Sequence, residues 1–206
     1  KQKTLTYQSQ NDGSSTPVTE TWTYSISSVS GVSVITGPDG GMTTQYFVDP
    51  SDPGPFGGMV GKLELPNGDV IERIWQTNNP AQPLTYSNYG ANAYIKTEYR
   101  SIRDGGGNLA WTAVTDYEQD KNGNVTAVSQ YDWVPYGSLH PTPGVPPSIL
   151  PPASARLIKT VTTYFNSTPV ASDTTTWSNN AYWSGSAPSF RGAVAAKELL
   201  DANNNV

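Results

Sequence analysis

The sequence predicts an all-β fold, an antiparallel hairpin-rich sheet, and three observations carry that expectation. Composition is the first. The 206 residues include 21 Ser, 23 Thr, 15 Asn, 19 Gly and 17 Pro, with only 14% charged, a mixture that disfavours helices and suits strands and turns. The second is period-two alternation of β-branched and aromatic residues, the mark of half-buried strands. The third is a set of Asx-Gly dipeptides, which supply the positive φ that tight hairpin turns need.

In chain order, TETWTYSIS (19 to 27) reads as the first strand. Gly31 to Ile35 and Met42 to Val48 read as a hairpin around Asp39-Gly40. DPSDPGPFGG (49 to 58) has little regular structure. Asn67-Gly68, Asp104-Gly105 and Asn122-Gly123 are three further turns, expected to be type I′. Gly40, Gly68, Gly105 and Gly123 are therefore the predicted turn glycines. Val134 to Ala155 is Pro-rich and reads as a surface loop inserted between hairpins, with a polyproline ligand as the other reading. KTVTTYF (159 to 165) is another strand. RGAVAAKELLD (191 to 201) has helix-forming residues, yet its layout matches the strands before the other turns, so a strand followed by a degenerate turn at 201 to 206 is expected. The resulting organisation is a hairpin region at 1–133, the Pro-rich insertion at 134–155 and a further β region at 156–206.

Charge and special residues narrow the chemistry. The net charge is -5 and the pI about 4.7, with Lys and Arg scattered, so neither nucleic acid nor an anionic membrane is an expected partner. No apolar run approaches the roughly 20 residues of a membrane span. There is no Cys, which removes thiol nucleophiles, disulfides and zinc-thiolate sites. The sole histidine, His140 in HPTPG, reads as a solvated loop residue without a partner. Lys1 stands where Met would open a chain, so an upstream region is expected to be missing.

Aligning the turns exposes a loose repeat: an apolar residue, Asp or Pro, Asn/Asp-Gly, small residues, then an alternating strand. Its instances are TGPDGGMTTQYFV, ELPNGDVIERIW, SIRDGGGNLAWTAVTDYE, EQDKNGNVTAVSQYDW and a shortened ELLDANNNV, in which Asn204 replaces glycine. In Asp120 to Trp133, where the turn is followed by Tyr131-Asp132, and in PDGG followed by Tyr46, the chain resembles the RHS or YD-repeat family. That resemblance implies a ribbon of hairpins spiralling into a hollow β-shell, wrapped around a C-terminal toxin or built into a large surface protein. Repeats here are few and interrupted, and nothing resembles the family's terminal core segment. A chain ending inside a repeat is expected to be a fragment.

Catalytic and ligand-binding patterns are sparse. Asp116 and Glu118 alternate on one strand face, about 6 to 7 Å apart by strand rise, near the spacing of glycosidase carboxylates, but a solvated face has the same pattern. Asp120, Asn122 and Asn124 have calcium-loop spacing, yet Val125 and Tyr131 occupy positions where an EF-hand needs Gly and Glu. A plain hairpin turn explains them. Asn124-Val-Thr126 and Asn166-Ser-Thr168 are sequons. Six Trp and twelve Tyr against four Phe suit half-wet sites. Trp22, Tyr24, Trp75, Trp111 and Trp133 sit on strands as expected cross-strand packing. Trp177, Tyr182 and Trp183, in a loop-like stretch, are the candidate sugar-stacking aromatics.

The expected function is a non-catalytic, extracellular or cell-surface scaffold of this repeat type, with no cofactor or metal. Aromatics would fill its inner face and Ser, Thr and Asn its outer one. Neighbouring repeats or copies of itself would pair along its open edges. The alternative is an extracellular carbohydrate-binding or adhesive β-module.

Overall fold

The structure is a computed structural model that describes residues 1–8, 17–27, 31–49, 56–77, 93–120, 123–142, 145–164 and 194–205. Eleven strands form one antiparallel sheet in strict chain order: β1 (Gln2–Gln8), β2 (Pro17–Ser27), β3 (Val32–Thr36), β4 (Met42–Phe47), β5 (Val60–Glu64), β6 (Val70–Thr77), β7 (Ala93–Arg103), β8 (Leu109–Gln119), β9 (Val125–Pro135), β10 (Arg156–Tyr164) and β11 (Val194–Leu200). The all-β, hairpin-rich expectation holds. So does the strand expected after Arg191, where β11 overrides the local helix propensity by pairing with β10.

Five turns share one geometry. Residues 37–41, 65–69, 104–108, 120–124 and 201–205 each close with the first N–H donating to the fifth carbonyl and the fourth N–H donating to the first carbonyl, at 2.8 to 3.1 Å. In the 201–205 turn, for example, the bonds are Asp201 N to Asn205 O at 2.9 Å and Asn204 N to Asp201 O at 3.1 Å. The bonds are those of a three-residue loop with a left-handed residue at the fourth position forming a bulge, rather than the two-residue type I′ turn expected. Two chemistries produce it. In GPDGG and LPNGD a proline pre-sets the second position, and Asp39 or Asn67 accepts from the N–H two residues on. In DGGGN, DKNGN and DANNN the first Asp accepts from the fifth residue's N–H at 2.9 Å.

That frame corrects one glycine. The left-handed residue after Asp104 is Gly107 (φ 80), not Gly105, because it must stand three places after the capping Asp. Gly40, Gly68 and Gly123 are left-handed as expected, and Asn204 (φ 63) takes the same role in the last turn, which asparagine tolerates better than other L-residues. Arginines brace the turns: Arg103 donates to Gly68 O and Gly107 O, while Arg156 donates to Asp201 O, Ala202 O and the Asn204 side chain.

The core lies on one face of β6–β9, under a cover. After β9 the chain makes one helical turn, α1 (Tyr136–Leu139), and the Pro-rich segment returns across the sheet to a 3-10 turn at Ala153–Ala155. Leu139 packs with Tyr99 and Val114, with Ile74, Tyr131 and Val134 at the margin. Pro147 and Pro151 are also buried, and Tyr99 Oη donates to Ile149 O at 3.1 Å. The described parts of this segment are thus a strap rather than a solvated surface loop. Proline suits the role, because a residue without an N–H leaves no donor to satisfy on a buried strap.

The inner face is not lined by aromatics alone. Cross-strand register sets Tyr46, Lys62, Glu72, Tyr99, Val114 and Tyr131 in one row, and Glu64, Val70, Ser101 and Thr112 in the next. Ser101 and Thr112 are fully buried and hydrogen-bond each other at 2.9 Å. Ser and Thr therefore occupy the centre of the covered face, contrary to the outer-face expectation, because a satisfied hydroxyl pair removes the cost of burial.

Candidate functional site beneath the strap

The polar groups of the covered face converge where the strap meets β5 and β6. His140, placed by α1, directs Nε2 at Glu72 Oε2, 2.6 Å away. Its Nδ1 lies 3.1 Å from Tyr136 O, and its ring stacks on Tyr136 at 3.8 Å between centroids. The imidazole side chain is only 2% exposed. The solvated-loop expectation for His140 is overturned: 68 residues of intervening chain fold its partner beneath it.

Lys62 stands directly opposite Glu72, but its ammonium bonds Glu64 Oε1 at 2.8 Å and lies 5.0 Å from the Tyr46 ring centroid. Tyr46 Oη donates to Glu64 Oε2 at 3.0 Å. The Lys62 bond holds the Glu64 carboxyl below its usual range despite partial burial. Burial alone would lower the Lys62 ammonium, yet the Glu64 bond and charge raise it. Burial raises the Tyr46, Tyr131 and Tyr136 phenols, with Glu64 adding to Tyr46 and Glu72 to Tyr136. Tyr99 is pushed up to about 12, chiefly by burial and next by Asp116. These shifts keep these four phenols neutral and the Lys62–Glu64 pair charged, which suits fastening.

The other candidate residues are tied into the sheet. Asp116 is buried and accepts from Thr97 Oγ1 at 2.8 Å and Lys96 Nζ at 2.7 Å. Lys96 reaches it because it is the extra residue of a bulge, Ile74 pairing with Thr97 and Trp75 with Ile95. Glu118 is half exposed and bonds Lys159 at 3.3 Å. The two carboxylates thus serve separate ion pairs. Asp120 accepts both the backbone N–H and the side-chain Nδ2 of Asn124, as a turn clamp does. Asn122 lies outside the described residues, as do Asn166, Trp177, Tyr182 and Trp183.

Among the described residues, no group of three or more His, Asp or Glu is placed to hold a metal ion. No helix among them is long and apolar enough to cross a membrane. On the opposite face, Trp111 is 46% exposed and Trp133 41%. They are diagonal neighbours, because Asp132 and Trp133 form a bulge opposite Ala113. Trp75 instead anchors Nε1 on Val60 O at 3.0 Å. Local sequence carries no sign of the His140–Glu72 pair; the Trp111–Trp133 pairing was accessible only once the bulge register was known. Comparison with known proteins finds no family model, curated protein or solved structure that matches the chain.

Proposed function

We propose that the chain is a non-catalytic scaffold segment of an extracellular RHS/YD-repeat-like protein, extended by edge pairing with neighbouring repeats or copies of itself, as a cargo-enclosing wall or a surface fibre. One observation carries this reading: a single turn geometry recurs five times in an unbroken meander. Four of the five recurrences add a strand with the same register rule, so Thr36 faces Met42, Glu64 faces Val70, Arg103 faces Leu109 and Gln119 faces Val125. Such a rule suits an extendable ribbon. Among the described residues β1 and β11 pair on one side only, and unpaired backbone groups are a template for another strand.

A second reading, a carbohydrate-binding or adhesive module, is favoured by the half-exposed Trp111 and Trp133, whose rings suit stacking on sugars. Sedimentation over a concentration series, combined with Trp fluorescence during titration with soluble polysaccharides, separates the two. The scaffold reading expects assembly that grows with concentration and no saturable glycan response. A monomer at every concentration with a saturable shift, lost in Trp133→Ala or Trp183→Ala, overturns it.

A further inference from the structure

We propose that the edge of β11 left unpaired among the described residues receives β1 of a second copy of this chain, so that copies join head to tail in one fixed register. The inference rests on the scaffold reading and adds to it which edges meet and how. Backbone hydrogen bonds decide which residues of each edge are open. Lys1 and Tyr24 exchange both bonds, Lys1 N to Tyr24 O at 2.8 Å and Tyr24 N to Lys1 O at 2.7 Å, and the register to β2 is unbroken. Alternation along an antiparallel ladder therefore turns the backbone N–H and C=O of Lys3 and Leu5 inward to β2 and those of Gln2, Thr4 and Thr6 outward. At the other edge, the Asp201 backbone bonds Asn205 and Asn204 in the last turn, so it faces away from β10. The backbone groups of Leu199 and Lys197 face the same way, and those of Leu200, Glu198 and Ala196 face β10. A bulge at Ala195 ends the regular edge.

A regular antiparallel ladder must set outward residues against outward residues. The arm that returns to Asn205 already fills the space beside Asp201, so an incoming strand can reach no further than Leu200. The longest antiparallel pairing within those limits puts Gln2 of the second copy opposite Leu199, and its Thr4 opposite Lys197, as hydrogen-bonded pairs. Its Lys3 then stands opposite Glu198 and its Leu5 opposite Ala196, in the closer non-hydrogen-bonded positions where side chains interact most. Opposite charges thus meet, and a leucine meets a small alanine. Lys3, Leu5, Ala196 and Glu198 are all exposed, and among the described residues neither Lys3 nor Glu198 makes a salt bridge. The same alternation disfavours β11 against β11. A two-fold axis there must oppose Lys197 to Lys197 or Glu198 to Glu198 over the regular edge, and like charges directly opposite destabilise a ladder. A β1–β1 dimer satisfies the hydrogen bonds but gains no ion pair and leaves Glu198 unmatched. Head-to-tail contacts use two different edges, so they propagate from copy to copy.

Sedimentation velocity of the full chain over a concentration series tests the pairing. The expected result is growth beyond the dimer, with Lys3→Glu and Glu198→Lys each raising the midpoint concentration of assembly about fivefold. Mixing the two variants in equal amounts, or joining both changes in one chain, should restore wild-type assembly, because each β1 again meets a β11 of opposite charge. The chain has no cysteine, which permits a second arm. Lys3→Cys and Glu198→Cys copies, oxidised together, should cross-link to each other more than either does alone. Assembly that Glu198→Lys leaves unchanged, or cross-linking confined to Lys3→Cys homodimers, overturns this register while the scaffold reading stands. A wild-type chain that stays monomeric at every concentration overturns both. If a charge variant fails to fold, the mixed cross-link decides, its presence supporting the register and its absence refuting it.

Discussion

The centre and the flanks of the sheet are held together differently. In β6–β9 one face is sealed by the strap, with Tyr99, Val114 and Leu139 each 2% exposed. In β1, β2 and β11 the same kind of ladder continues, but Leu5, Ile26, Val194 and Leu199 are exposed. Backbone pairing, turn clamps and arginine braces therefore suffice to extend the sheet, whereas side-chain burial is concentrated where the chain doubles back. The centre is a two-layer core and the flanks are a ribbon.

The largest expected break in that contrast is Leu139→Ala. Removing a fully packed leucine is expected to cost about 3 kcal/mol, whereas Leu199→Ala on the flank should stay within about 0.5 kcal/mol. Urea unfolding of both variants measures the difference, and equal costs would refute the two-part description. Next comes alkaline stability. Tyr99 is raised to about 12 from an unfolded value near 10. The folded state therefore keeps its proton between those values while the unfolded state loses it. Stability is fully present below about pH 10 and should decline by up to roughly 2 to 3 kcal/mol as pH rises through 12. The decline should be visibly shallower in Tyr99→Phe.

The turns give a smaller, graded effect. A Cβ at Gly68 would meet Arg103 Nε at 2.5 Å in addition to its left-handed φ, whereas at Gly123 nothing lies within 4 Å. Gly123→Ala should cost about 1 kcal/mol from the backbone alone and Gly68→Ala about 2, while Gly123→Asn should cost only a few tenths. Thermal unfolding ranks the three, and a reversed order would remove Arg103 as a brace. The smallest effect belongs to Asp201, whose carboxyl is held low by the Asn205 side-chain bond. Its clamp is present above the ordinary Asp range near 3.9 and fades as pH falls through the lowered value. Amide exchange at Asn205 should quicken there, and Asp201→Ala should abolish that acid dependence.

Strand positions and most turn positions were legible because both are local. Alternation marked β2, β3, β4 and β10, and Asx-Gly marked four turns. The misplaced glycine at 105 arose from reading a dipeptide where the geometry is a five-residue frame. Aligning Asp104, Asp120 and Asp201 with Asn108, Asn124 and Asn205 would have found Gly107. β11 was readable only by analogy with the strands before other turns, since its residues favour a helix in isolation.

The strap and its contacts were not legible, for a physical reason. Periodicity and turn chemistry report what neighbours in the chain do to one another, and they determined an antiparallel meander with clamped turns. Whether a proline-rich stretch floats or seals a core depends on Leu139 finding Tyr99 and on His140 meeting Glu72, 68 residues away. Those pairings depend on sheet register summed over several strands, so the solvated loop and lone histidine expected from residues 134–155 became, only in the tertiary structure, a cover and its fastening.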